Sequence, residues 1–575
     1  MAVATQISYK PGLESRRLIE QLDEEFRDAV EKNKHLLQYL YEWLKSGKAL
    51  PNYYVQLSRD LRGLSEINII YPVGDPIFIH IYLPSMGERP RYHPIQPELP
   101  SDSKPLLDKV EEALAMIIDE SFDYESVEEQ RKLIEDALDR VIKVDFSLSG
   151  PSAYKFEKKK FTLTLSKEAY EIVKYSLLNE KVGMGLLEPF IRDPYVEDIS
   201  CDGVGPIFVE HKIFQSCSST VSFAKEEELN EYVIRLSERI GRPVSYRRPI
   251  VDAALPDGSR INIVFGKDVS RRGTNFTIRK FTDIPISVTQ LIQWGTFDAR
   301  VAAYLWMLLE EGMSVWVSGE TASGKTTTLK AICVFIRPDA KIVSIEDTPE
   351  VVVPHDNWVR EVTRESEEKG SSIELFDLLK AALRQRPNFI IVGEIRGKEG
   401  NVAFQAMQTG HPVLSTFHAA SVEKLIQRLT GDPINVPKTY VDNLNAVVIQ
   451  SAVRHPKTGR LERRVLSVNE MVGYDTVENR FSFIEIFSWD PVTDKQVYRG
   501  EGSSYILEQK IAVRRGFSKK EVRKIYEELE KRKAFLELLV QMKIFDHWEV
   551  WRLMKLVYKA GIDRVLHQLR LGEKP

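Results

Sequence analysis

The sequence predicts an α/β protein: a parallel sheet with helices on both faces, preceded by an α+β domain, with an extra N-terminal region and a helical C-terminal tail. Three observations carry this. Between about 286 and 490, apolar runs (VWVSG, KIVSIED, NFIIVGE, PVLSTFH) alternate with helical patterns, which calls for parallel strands and crossover helices. Between about 155 and 285, a helical stretch at 225–240 separates two regions of short strands, the second holding LPDGSRINIVF and TNFTIRKF. After 505, Leu, Val and aromatic residues recur at helical spacing as far as 570.

In chain order, residues 14–48 read as one or two charged amphipathic helices, with Leu18, Leu22, Phe26 and Val30 on one face. Two strands follow, 67–73 and 77–83, around a Gly-Asp-Pro turn. Pro84, Pro90, Pro94, Pro97 and Pro100 then predict an irregular stretch. Helices are expected at 104–120 and 126–143, and a boundary at 148–154, where the chain reads SLSGPSA. The resulting division is 1–150, an accessory α+β region; 155–285; 286–505, the parallel-sheet domain; and 506–575, the tail. Within the tail, Ser518-Lys-Lys-Glu521 reads as a capping box that starts a helix, with Phe517 stapled onto Val522.

Composition narrows the field. The 575 residues are 43% hydrophobic and 29% charged, enough to build several cores, which excludes disordered and collagen-like chains. Against 84 acids the 80 Lys and Arg leave a net charge of −4, so no global basic field points to nucleic acid. The three cysteines, Cys201, Cys217 and Cys333, form no CxxC pair; free thiols, a reducing compartment and no structural zinc are expected. No run approaches the ~18 to 20 apolar residues of a membrane span, and the N-terminus lacks a signal-peptide core, so a cytoplasmic chain is expected.

Four blocks carry chemistry. Gly319-Glu320-Thr321-Ala322-Ser323-Gly324-Lys325-Thr326, followed by Thr327, is a complete P-loop between an apolar strand and a helix. Its glycines let backbone N–H groups curl around phosphate oxygens at the positive helix end. Lys325 is expected on the β/γ-phosphates, and the Thr326 hydroxyl on Mg²⁺. The apolar strand before Gly393-Glu394-Ile395-Arg396 ends in an acid at the Walker B position, where Glu394 is expected to bind Mg²⁺ through water. Between them lie Glu346, Asp347 and Glu350 at one strand exit, three carboxylates that suit metal orientation and water activation, though alone they read as a solvated turn. Last, Thr409-Gly410-His411 through Ser415-Thr416-Phe417-His418 places two histidines around a short strand, each a candidate to sense the γ-phosphate.

In this order the blocks resemble the Walker A (319–326), Asp box (345–350), Walker B (393–396) and His box (409–418) of the type II/IV secretion ATPase superfamily. Upstream, GLLEPFIRDPYVEDISCDG (185–203) resembles its N-terminal domain signature, and the segments with Arg260 and Arg279 resemble its nucleotide-facing strands. The resemblance runs from about 160 to 560 and is nearest the archaeal members that build the archaellum or type IV-like pili. It implies a RecA-like ATPase domain, ATP and Mg²⁺, and a homo-hexameric ring. It also implies a polytopic membrane platform protein and accessory proteins as partners, at the inner face of the membrane, and no nucleic acid. Carried across, Glu350 polarises the attacking water, and Glu346 and Asp347 support it. Glu394 supports the metal, His411 and His418 read the γ-phosphate, and Arg260 and Arg279 neutralise developing charge. Two other readings stay open. A nucleic-acid translocase would show DNA-dependent activity, and a non-hydrolysing scaffold would lack the acids, which are all present here.

Overall fold

The computed structural model describes residues 18–62, 64, 66–85, 87–99, 104–117, 126–148, 154–157, 162–281, 285–364 and 371–572. The chain forms two compact units, Met1–Phe281 and Thr282–Pro575.

In the first unit, helices Glu24–Lys32 and Lys34–Lys45 bury Phe26, Val30, Leu36 and Leu40, the face that the helical spacing marks. Asp23 caps the former by accepting from Phe26 N at 2.8 Å. Residues 14–17 of the expected helix lie outside the described residues. Ten strands make one sheet. They are β1 (Asn52–Tyr53), β2 (Asn68–Pro72), β3 (Phe78–Tyr82) and β4 (Arg91–Ile95), then, past a separate three-stranded sheet of β5 (Ile142–Val144), β6 (Tyr154–Glu157) and β7 (Thr162–Leu165), β8 (Val196–Cys201), β9 (Gly205–His211), β10 (Gln215–Phe223), β11 (Ile250–Ala254), β12 (Arg260–Val264) and β13 (Asn275–Arg279). Their spatial order is β1-β2-β3-β4-β10-β9-β8-β13-β12-β11.

The proline-rich stretch is not wholly irregular. Residues 91–95 form β4 despite Pro94, which lies beyond the last pair with β10, Ser219↔Tyr92, where no ladder bond on that side needs its missing N–H. Because β4 pairs with β10, the sheet draws strands from both sides of 148–154. A buried polar cluster sits at this joint: Asp193, fully buried, accepts from Tyr71 of β2 at 2.6 Å and from Tyr92 of β4 at 2.8 Å. His211 Nε2 lies 3.2 Å from the Tyr71 hydroxyl, and its Nδ1 accepts from Ile213 and Phe214 N–H.

The second unit is a nine-stranded sheet of β14 (Val315–Gly319), β15 (Ile342–Glu346), β16 (Trp358–Val362), β17 (Phe389–Ile395), β18 (Val413–Phe417), β19 (Ala446–Arg454), β20 (Leu461–Asp475), β21 (Arg480–Asp490) and β22 (Lys495–Tyr498), ordered β16-β15-β17-β18-β14-β19-β20-β21-β22. The strands from β16 to β19 are parallel, as their alternation with helices requires; β20 to β22 continue the sheet antiparallel. Alternate β14 side chains enter different cores, Val315 and Val317 one and Trp316 the other, so the sheet is covered on both faces.

The tail helices Lys524–Gln541, His547–Ala560 and Ile562–Arg570 pack into the first of these cores through Phe535, Leu536, Trp551 and Leu566. The helix expected from Ser518 begins instead at Lys524, after turns at 519–523. Glu521 does reach back to accept from Ser518 N–H and hydroxyl, but Glu521 N–H donates to the Ser518 carbonyl rather than to its side chain. Half a capping box closes a tight turn rather than starting a helix. All three cysteines are buried and unbridged.

Candidate functional site

β14 runs apolar to Gly319, where the chain turns away. A Cβ on Gly319 would sit 2.0 Å from the Gln450 carbonyl of the neighbouring β19, so only glycine passes there. Ala322 (φ +60°) and Gly324 (φ +91°) curl the loop, and the helix Lys325–Ile332 starts at once. Its first i→i−4 bond is Thr328 N to Gly324 O at 3.0 Å, which leaves the N–H groups of Lys325, Thr326 and Thr327 without intrahelical acceptors and facing the concave loop. Glu320, Thr321 and Ala322 are exposed, Thr326 and Thr327 half-buried, Ser323 and Lys325 buried. Lys325 folds its ammonium onto the Glu320 carbonyl at 2.8 Å, where Ser323 Oγ also donates at 2.8 Å. Burial lowers the Lys325 pKa, and the nearby Glu394 charge opposes that.

Two residues that sequence reasoning missed touch this loop. Gln450, 2% exposed on β19, donates through Nε2 to Ser323 O at 2.9 Å and accepts from Thr328 Oγ1 at 2.8 Å. One amide thus ties the loop to the first turn of its helix. A glutamine inside the apolar run AVVIQS was the signal available. Arg463, exposed on β20, donates through Nε to Ala322 O at 3.4 Å.

The acids gather at the carboxyl ends of the parallel strands. At Gly393 the register of β17 on β18 slips by one residue, between Val392↔Ser415 and Glu394↔Thr416, and Thr416 Oγ1 donates to Gly393 O at 2.7 Å. That bulge re-aims Glu394. One Glu394 oxygen lies 2.8 Å from His418 Nε2, and the other accepts from Arg396. Burial, with the Lys325 charge, lowers the His418 pKa.

Glu346 ends β15. It is 2% exposed, and one oxygen accepts from Glu350 N at 3.0 Å and Val351 N at 2.8 Å, while Arg360 stands 3.9 Å from the other. That first oxygen holds the turn that carries Glu350, while the second has no hydrogen-bond partner. Burial pushes it up to about 7. Asp347 is exposed and accepts from Thr363 Oγ1 at 3.3 Å. Glu350 is half-buried, and its charge is felt at Lys330 on the P-loop helix. Asn388 accepts from Lys341 N at 2.7 Å and holds the start of β17.

His411 is not brought to this edge. It precedes β18, its Nδ1 3.2 Å from Thr409 Oγ1, whereas His418 follows β18. Five strand residues at roughly 3.3 Å each place it on the order of 16 Å away, at the opposite edge of the sheet. In the first unit, Arg260 and Arg279 are direct register partners on β12 and β13 and share one face. Phe276 and Ile278 are buried and Thr277 and Arg279 exposed, the alternation the sequence predicts. Arg279 makes one exposed ion pair, 3.4 Å to Asp198. Two guanidinium groups directly opposite repel, an arrangement that suits an anion between them.

Among the described residues no group of three or more His, Cys, Asp or Glu converges on a metal position. Mg²⁺ does not need one, because it keeps several waters and takes one or two protein oxygens beside phosphate. The Thr326 hydroxyl at the helix start and the re-aimed Glu394 carboxylate supply oxygens of that kind.

A model of the type II/IV secretion system protein family matches residues 180–533. An uncharacterized protein of Methanocaldococcus jannaschii is 47% identical over 547 residues, 94% of this chain and 98% of that protein. Protein VirB11 of Agrobacterium tumefaciens is 28% identical over 266 residues, 41% of this chain and 77% of VirB11. Among solved structures, the pilus retraction motor PilT with bound ADP is similar at 21% identity, covering 49% of this chain and 81% of PilT with a TM-score of 0.36. The ATPase DotB of Legionella pneumophila is similar at 16% identity, covering 64% of this chain and 94% of DotB, also at 0.36.

Proposed function

Because the chain belongs to the type II/IV secretion system protein family, we propose that it is an ATP-hydrolysing motor of a filament or secretion machine. The observation that supports this best is the P-loop of 319–326, its helix N–H groups open, at the same sheet edge as the Glu394–His418 pair. Lys325 binds the β/γ-phosphates, Thr326 and Glu394 hold Mg²⁺, and His418 hydrogen-bonds at the γ-phosphate end. Mg²⁺, when bound, neutralises charge across the β- and γ-phosphates. Glu350, held by Glu346, polarises the attacking water. Arg260 and Arg279 supply positive charge as the phosphoryl group transfers. The working form is a hexameric ring at the cytoplasmic face of the membrane, attached to a polytopic platform protein, that assembles an archaellum or a type IV-like pilus. No helix among the described residues is long and apolar enough to cross a membrane.

Mg²⁺-dependent ATP hydrolysis by the purified chain tests the reading. Lys325→Ala is expected to abolish it, since its ammonium is the main side-chain cation on the phosphates. Turnover near wild type in that variant would defeat the assignment.

A further inference from the structure

The tail helix His547–Ala560 has two unlike sides. Val550, Leu553, Met554 and Val557 are buried against the core. Trp548, Arg552, Lys555 and Lys559 are exposed, and their spacing of i, i+4, i+7 and i+11 sets them along one side of the helix. At 1.5 Å per residue that stripe is about 16 Å long. It is cationic throughout, with an indole, 46% exposed, at its start. Past Gly561 the helix Ile562–Arg570 adds exposed Arg564 and Arg570, and Leu571 beyond its end is 62% exposed.

A helix face that only meets water mixes its charges, and the preceding tail helix, Lys524–Gln541, does so. There Lys531 stands 3.9 Å from Glu528, and Lys533 stands 3.4 Å from Glu530 and 3.6 Å from Glu537. By contrast Lys555, Lys559, Arg564 and Arg570 pair with no carboxylate among the described residues. The one exposed acid within the last two helices, Asp563, is taken by Lys531 at 3.1 Å. A chain of net charge −4 thus ends in a positive face. Its partner is therefore anionic. A convex helix side offers no pocket for a partner's side chain, and lysines are point charges on flexible stems that make few demands on geometry. Phosphate headgroups of a lipid surface suit such charges, and an indole at one end suits the headgroup level.

We propose that the stripe of Trp548, Arg552, Lys555 and Lys559 rests on an anionic lipid surface. This rests on the proposed place of the chain at a membrane face and gives that face a contact on the chain itself.

Co-sedimentation of the full chain, without nucleotide, with vesicles of phosphatidylglycerol or of phosphatidylcholine tests it. Wild type should bind the first and not the second, and about 1 M salt should release it by screening. Lys555→Ala with Lys559→Ala should weaken binding about thirtyfold and leave the melt unchanged, because both side chains are exposed. Lys519→Ala with Lys520→Ala removes the same charge from another exposed turn and should leave binding within about twofold. No binding of wild type to phosphatidylglycerol overturns the inference. So does equal loss in both lysine pairs, which would mean that overall charge decides. Capture of polyglutamate but not of vesicles through Lys555 and Lys559 also overturns it and assigns the stripe to an acidic protein. A chain that binds vesicles yet hydrolyses no ATP would strike the motor reading and leave the lipid contact standing.

Discussion

Replacing Gln450 with Ala removes a buried side chain that joins the P-loop to its helix. Two hydrogen bonds disappear, Nε2 to Ser323 O at 2.9 Å and Thr328 Oγ1 to Oε1 at 2.8 Å. Thr328 can turn its hydroxyl to the Gly324 carbonyl four residues back, so that group is rescued locally. The Ser323 carbonyl is not, and one buried polar group left unsatisfied costs about 1 to 3 kcal/mol. The vacated volume adds a cavity cost of about 1 kcal/mol. The expected destabilisation of residues 282–575 is therefore about 2 to 4 kcal/mol, read as a lower urea midpoint with unchanged slope. Because the loop loosens as a whole, ATP and inorganic tripolyphosphate should weaken in equal proportion. Gln450→Glu keeps the acceptor for Thr328 but sets a carboxylate against Ser323 O, and should be no better than Ala. A Gln450→Ala protein within about 0.5 kcal/mol of wild type, with unchanged affinity for both ligands, would refute the reasoning.

Glu350→Gln is expected to keep ATP binding and lower turnover on the order of 10²-fold or more; single-turnover kinetics beside a binding titration decide it, and equal loss of both would make Glu350 a structural residue. Arg279→Ala should reduce kcat, on the order of 10³-fold if it acts as a finger, with an unchanged melt because its pair with Asp198 is exposed; an unchanged kcat leaves it a surface charge. Burial pushes His211 down to about 4, with Asp193 opposing. Its neutral form is the native one, so it contributes stability that is intact above the unfolded value near 6.5 and is lost as pH falls from there through 4. The loss is at most about 3 kcal/mol, and urea unfolding of wild type against His211→Gln between pH 7 and 4 should show a shallower decline in the variant.

What could be read from the chain was what neighbours in sequence decide. The strand, loop and helix of 315–332 are contiguous, and the apolar strand before Glu394 announces itself. Long-range partners left little trace: Gln450 stands 127 positions from Ser323, and only a misplaced polar residue hinted at it. β4 was hidden by Pro94, because proline counts against a strand unless its neighbours are known to make no demand on that N–H. His411 was a different failure. The run between the two histidines reads as a strand, and a strand separates its ends, so the sequence alone already splits the pair. Only the fold shows that one Glu346 oxygen is occupied by the turn that carries Glu350.

The pairing of β4 with β10 has a kinetic side. Arg91 and Ser218 are register partners 127 residues apart, whereas β9 and β10 close around Gln215↔His211 with three residues between. Loop-closure entropy grows as the logarithm of length, so the β4 joint costs about 3 kcal/mol more to close than that hairpin. On that entropy alone, the β8–β10 and β11–β13 meanders are expected to close before the 52–95 strands dock onto β10. During synthesis the early strands emerge and wait, their β4 edge open, until β10 has been made. Burial of Tyr71 and Tyr92 against Asp193 is then expected to come late and to seal the seam.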